Sequence, residues 1–256
     1  MNQDYIKADP WSIIEEGFDR DSVKSSESLF SLGNGAMGQR ANFEEVYTGP
    51  TFQGSYIGGV YYPDKTRVGW WKNGYPEYFA KVLNAPNWIG IHIDINNTPL
   101  DLNTCKEVEG FRRELNMREG YYRREFKATL PNDVQLAVKV TRFLSLDLDE
   151  VGAIKYEVTP VSESANVKFT PYLDSGITNE DSNWDDKFWN TTNVTSKGNR
   201  AFIEAHTMKT NFGTCTFMQS QLFHNGAQVD AKRSEKKEEL WMGHEVSIDA
   251  PKGETV

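Results

Sequence analysis

Cysteine is scarce in this 256-residue chain: Cys105 and Cys215 are the whole supply. No C-x-x-C occurs, and His92, His206, His224 and His244 are scattered, so neither a disulfide framework nor a zinc site is indicated. Long apolar runs are missing too, and no stretch approaches the roughly 18 residues of a membrane span. The opening "MNQDYIKADPWSIIEEGFD" has no apolar leader core. As written the chain reads as cytoplasmic, or as periplasmic if a leader was removed. Like-charge runs do not exceed the mixed "EKKEE" at 235–239, and the net charge is −9. That balance argues against nucleic acid and anionic membrane as partners. Past residue 30, no segment keeps a 3.6-residue apolar period.

What the chain does have is aromatic side chains, with seven Trp, eleven Tyr and fourteen Phe. It also has alternation. "WIGIHID" sets Ile89, Ile91 and Ile93 on one face, and Asn96, Asn97 and Pro99 then turn the chain. "YYRREFKATL" is followed by a Pro-Asn-Asp turn and by "VQLAVKVTRFLSL", where Val134, Leu136, Val138 and Val140 share a face. Turn chemistry and period together predict a hairpin. Similar runs recur to the C-terminus, which predicts an all-β chain folded as one large antiparallel two-sheet β-sandwich. The single helix expected lies in "DPWSIIEEGF", with Asp9 as cap and Pro10 at the first helical position. Two long aromatic segments, "YYPDKTRVGWWKNGYPEYFAK" (61–81) and "NEDSNWDDKFWNTTN" (179–193), read as loops exposed for binding or docking. Trp70, Trp71, Trp184 and Trp189 are their candidate sugar-binding or interface residues, because aromatic faces stack on sugar C–H faces and anchor interfaces. Tyr75, Tyr78, Phe79 and Phe188 are expected to join them in a partly exposed patch.

"ESLFSLGNGAMGQRANFEE" (27–45) packs Gly33, Gly35 and Gly38 closely. A Walker loop needs Lys-Ser/Thr after its last glycine, and here Gln39 and Arg40 follow. The dinucleotide pattern fits literally but lacks its apolar strand and following helix. The better reading is structural, with glycines taking positive φ or letting another backbone approach. Glu44-Glu45 and Asp185-Asp186 are the adjacent acids that could be read as catalytic pairs. Adjacent acids on a strand face opposite ways, so exposed turn acids are the expectation. Arg112-Arg113 and Arg123-Arg124 are expected to pair with Glu109, Glu114 or Glu125 across strands.

The same stretch carries a family resemblance. Glu27-Ser28-Leu29-Phe30, Leu32-Gly33-Asn34-Gly35, Gly38, Arg40, Asn42 and Glu44-Glu45 resemble the signature of the N-terminal domain of glycoside hydrolase family 65. That family comprises maltose, kojibiose and trehalose phosphorylases and related hydrolases. "GSYIGGVY" (54–61), "LNAPNW" (83–88), "LNMREGYYRRE" (115–125) and "RFLSLD" (142–147) extend the likeness, while Ala36-Met37 and Ala41 depart from it. The resemblance implies a galactose-mutarotase-like super-sandwich over 1–256, with Gly33, Asn34, Gly35, Gly38 and Arg40 as a structural motif. It implies no catalytic residue, metal or cofactor in this chain. Catalysis on an α-linked glucose disaccharide would sit in an (α/α)6 barrel absent from it, with inorganic phosphate as co-substrate if the parent is a phosphorylase. The sandwich's partners would be that barrel and, in a homodimer, a second copy. The length of the 61–79 segment points to a hydrolase subgroup. A stand-alone carbohydrate-binding module is the alternative.

Overall fold

The computed structural model describes residues 5–66, 74, 76–180 and 187–256. In chain order, the first strands are β1 (Ile6–Ala8) and β2 (Ser12–Glu16), followed by a 3-10 turn (Arg20–Ser22) and α1 (Val23–Leu29). Short strands follow: β3 (Leu32–Gly33), β4 (Met37–Gln39), β5 (Ser55–Ile57), β6 (Tyr61–Lys65), β7 (Tyr78–Val82), β8 (Ile91–Ile95) and β9 (Thr98–Pro99). The long strands are β10 (Glu107–Asn116), β11 (Tyr121–Thr129), β12 (Gln135–Leu144), β13 (Gly152–Pro160), β14 (Ala165–Asp174), β15 (Trp189–Lys197) and β16 (Arg200–Thr207). β17 (Gly213–Gln219), β18 (Leu222–His224), β19 (Ala227–Val229), β20 (Ser234–Lys237) and β21 (Trp241–Ala250) complete the chain.

Two antiparallel sheets make the sandwich. One has the order β1-β2-β10-β11-β12-β13, the other β20-β21-β14-β8-β9. Alternation along β12 puts Leu136, Val138 and Val140 inward, where they meet Ile93, Val167, Phe169 and Val246 of the facing sheet. Burial of these apolar faces is the main force joining the layers. The expected turns hold the register. Asp133 takes φ 69° between β11 and β12, and Asn96 and Asn97 take φ 49° and 62° between β8 and β9. Asparagine and aspartate tolerate this left-handed backbone better than other non-glycine residues. A third sheet, β15-β16-β17, closes one end through Ala201 and Ile203 against Leu173 and Met242.

The helix lies elsewhere than the sequence reading placed it. The Asp9 carboxylate accepts from the Trp11 amide at 2.9 Å and shapes the β1–β2 turn, so it caps no helix. Ser12–Glu16 is a strand paired with β10. The actual α1 buries Val23, Ser26 and Glu27, a helical stripe disguised because two of its three members are polar. The 61–81 segment is also less loop-like than expected: its two ends pair as β6 and β7.

Candidate functional site

Residues 27–45 begin on α1. There Glu27 is buried, and its carboxylate accepts from Thr51 Oγ1 and, at 2.7 Å, from the Phe52 amide. Arg40 Nε donates to the Phe52 carbonyl at 2.7 Å and Nη2 to the Lys24 carbonyl at 3.1 Å, with the guanidinium 4.4 Å above the Phe52 ring. Asn34 Oδ1 accepts from Met37 N at 2.7 Å, while Nδ2 donates to the carbonyls of Ser145 and Asp149. That single amide folds the glycine turn and fixes it to the far end of β12. Of the three glycines only Gly35 takes positive φ, at 94°. A Cβ at Gly33 or Gly38 would meet ordinary van der Waals neighbours. The backbone reading therefore holds at Gly35 and is not required at the other two.

Glu44 and Glu45 overturn the expectation of exposed turn acids. Both are buried, against the inner face of the six-stranded sheet. Arg124 Nη2 donates to Glu44 at 2.9 Å, Arg142 Nη1 donates to Glu44 at 2.7 Å, and Arg124 also grips Glu45. The Tyr156 hydroxyl donates to Glu45 at 3.1 Å. The two acids lie outside any strand, so alternation does not separate them. Two carboxylates against two guanidiniums make a neutral cluster, which is how charge survives without solvent. Arg124 is held well above the ordinary arginine value by Glu45 and Glu44, against a desolvation that pulls the other way. Beside the cluster, Arg113 Nε lies 3.1 Å from buried Glu15, its guanidinium boxed by Phe30, Phe43 and Phe111. Burial raises the Glu15 carboxyl above its ordinary range, with Arg113 opposing.

The expected arginine partners are corrected accordingly. Arg113 pairs with Glu15 and Arg124 with Glu44 and Glu45, while outward Arg112 pairs with Glu114 of its own strand at 2.6 Å. In each Arg-Arg pair one member points in and the other out. Sealed from solvent and paired with buried guanidiniums, these acids organise the fold. They are not placed to protonate a substrate.

The accessible candidate is a cleft of about 520 Å³ beside β6 and β7, walled by Phe52, Tyr56, Phe79, Lys81, Asn84 and Glu180. Under it, Lys81 Nζ lies 2.7 Å from Asp64, and Tyr62 packs on Phe188 at 4.6 Å between ring centroids. Trp189 is buried here, its indole N–H donating to the Asn84 carbonyl at 2.8 Å. Phe188 and Trp189 are thus core members of this small cluster, contrary to the exposure expected of them. Tyr78 and Phe79 are exposed as expected. In register, Tyr61 faces Val82 and Lys65 faces Tyr78, so Tyr61, Tyr78 and Val82 share one face of the hairpin, at 45%, 49% and 60% exposure. Trp70, Trp71, Tyr75, Trp184, Asp185 and Asp186 lie outside the described residues. Among the described residues no group of three or more metal-ligating side chains occurs, and both cysteines are free. Among the described residues no helix is long and apolar enough to cross a membrane.

The sequence matches the family described as glycosyl hydrolase family 65, N-terminal domain, over residues 13–256. The chain belongs to this family. Maltose phosphorylase of Bacillus subtilis (strain 168) is 40% identical over 247 residues, covering 96% of this chain and 32% of the relative. Alpha,alpha-trehalose phosphorylase of Thermoanaerobacter brockii is 31% identical over 79% of this chain and 27% of its own length. Among solved structures, a putative kojibiose phosphorylase from human microbiome superposes with TM-score 0.83 at 26% identity, over 98% of this chain and 32% of that one. The family 65 N-terminal domain therefore spans about a third or less of the relatives it matches. The buried Arg–Glu cluster joins the signature acids to the "YYRRE" and "RFLSLD" strands.

Proposed function

We propose that this family 65 domain is the non-catalytic sandwich of an enzyme that phosphorolyses an α-linked glucose disaccharide, maltose in the first instance, with inorganic phosphate as co-substrate. The carrying observation is the 40% identity to a maltose phosphorylase across 96% of the chain. So wide a match takes in the aromatic 61–79 segment, which removes the reason to prefer a hydrolase subgroup. The exposed face of β6–β7 is assigned to docking on the catalytic part near its substrate mouth. Three exposed apolar side chains on one hairpin face support that role, since such surface is uncommon without a partner. Pairing of two copies through the hairpin is the competing use.

A chimera tests both halves. This chain replaces the matching third of the Bacillus subtilis enzyme, and phosphate-dependent release of glucose from maltose is measured. The expected chimera is active, and Tyr78→Ser with Val82→Thr lowers its activity without lowering its melting temperature. A folded but inactive chimera contradicts the domain assignment. An active chimera indifferent to the double substitution contradicts the docking face.

A further inference from the structure

β13 closes the six-stranded sheet on one side, and among the described residues β12 is its one partner strand. On the side away from β12, Val158 exchanges both backbone hydrogen bonds with Val256, at 2.8 and 3.0 Å. The Thr159 and Thr255 hydroxyls lie 2.8 Å apart beside them. Two bonds exchanged between one pair of residues are the antiparallel pattern. Residues two apart on a strand aim their backbone groups the same way, so the N–H and C=O of Tyr156 and Ile154 face this side as well. Among the described residues those groups meet no partner there.

The packing changes at the same point. Val158 is fully buried, with Val256 in the same core cluster, whereas Ile154 and Tyr156 pack on that cluster and stay partly open. The Tyr156 hydroxyl is committed to Glu45, which holds the ring inward and leaves its backbone uncovered. The other ends of the two main sheets are blunted. β1 has three residues, β9 has two and ends in proline, and β20 reads Ser-Glu-Lys-Lys. β13 has no charge at an inward position and no proline before Pro160. An edge of this kind is a template for pairing unless something covers it.

Backbone donors and acceptors in a row are met by another strand, and half-open Ile154 and Tyr156 are covered by apolar side chains at alternate positions of that strand. Thr255 and Val256 already set its direction. A strand continuing their line runs antiparallel to β13 and needs no further loop closed. A second copy pairing edge to edge would bear the cost of association instead. We propose that the free edge at 152–156 is a strand-acceptor site for an extended segment of the same polypeptide in the longer enzyme, apolar at alternate positions and in line with Val256. The proposal rests on the reading of this chain as one domain of such an enzyme.

Hydrogen exchange over 152–157, read by mass spectrometry, tests it in this chain, in the chimera, and in the chimera with proline at the second position after Val256. That position falls opposite Tyr156 if the strand continues, and proline there removes a ladder donor. Exchange is expected to be fast in this chain and slowed at least about tenfold in the chimera. The proline should return it toward the fast rate while the melting temperature shows a folded protein. Equally fast exchange in a folded chimera overturns the proposal whatever the activity, whereas a protected but inactive chimera contradicts the domain assignment alone. Slowing indifferent to the proline also overturns it. So does slowing in this chain that grows with its concentration, the result that a second copy's edge would give.

Discussion

Glu44 and Glu45 are neighbours in the chain and share one guanidinium, that of Arg124, about eighty residues away. Sequence showed the "EE" and "RR" pairs but not their union. A charged residue at an inward strand position looks like a register error until its partner is known, and the partner comes from a distant, irregular segment. The cluster makes a sharp stability claim. Arg124→Met leaves two buried carboxylates short of a partner and should cost about 3–5 kcal/mol in urea unfolding. A loss under about 1 kcal/mol would mean that water replaces the guanidinium. The glycines divide in the same way. Gly35→Val forces a β-branched residue to φ 94° and should cost about 1–3 kcal/mol, whereas Gly33→Ala should stay within about 0.5 kcal/mol. Equal effects at both positions would contradict the turn geometry given by Asn34.

At the scale of elements, legibility followed the strength of the local signal. The Pro-Asn-Asp and Asn-Asn turns and the period-two runs around them reproduce the β11–β12 and β8–β9 registers. Asp9-Pro10 misled because aspartate before proline serves an Asx turn as well as a helix cap. α1 escaped because Ser26 and Glu27 occupy its buried face. The aromatic segments were legible only in part: composition marked them as unusual but could not sort inward from outward rings. The hairpin register does so. Tyr78→Ser with Val82→Thr should move this chain's stability by no more than about 0.5 kcal/mol, because both side chains face solvent. Phe188→Ala, beneath the same hairpin, should cost about 3–5 kcal/mol. Comparable losses from the two would contradict the division into an exposed face and a buried one.

For the whole molecule, alternation and turns were enough to predict an all-β sandwich, and the signature pointed to family 65. The approach of Glu235 to His244 was not legible, because the two stand opposite one another only when β20 pairs with β21 at the sheet edge. The acids weighed for catalysis that fall among the described residues, Glu44 and Glu45, are enclosed and committed to arginines. The central proposal is that this domain supports an α-glucoside phosphorylase without performing its chemistry. The measurement that tests it most directly is glucose release from maltose, kojibiose and trehalose by the purified chain, with and without phosphate. The expected release is none above background. Sustained release that survives repurification, and that scales with the chain's concentration, would contradict the account.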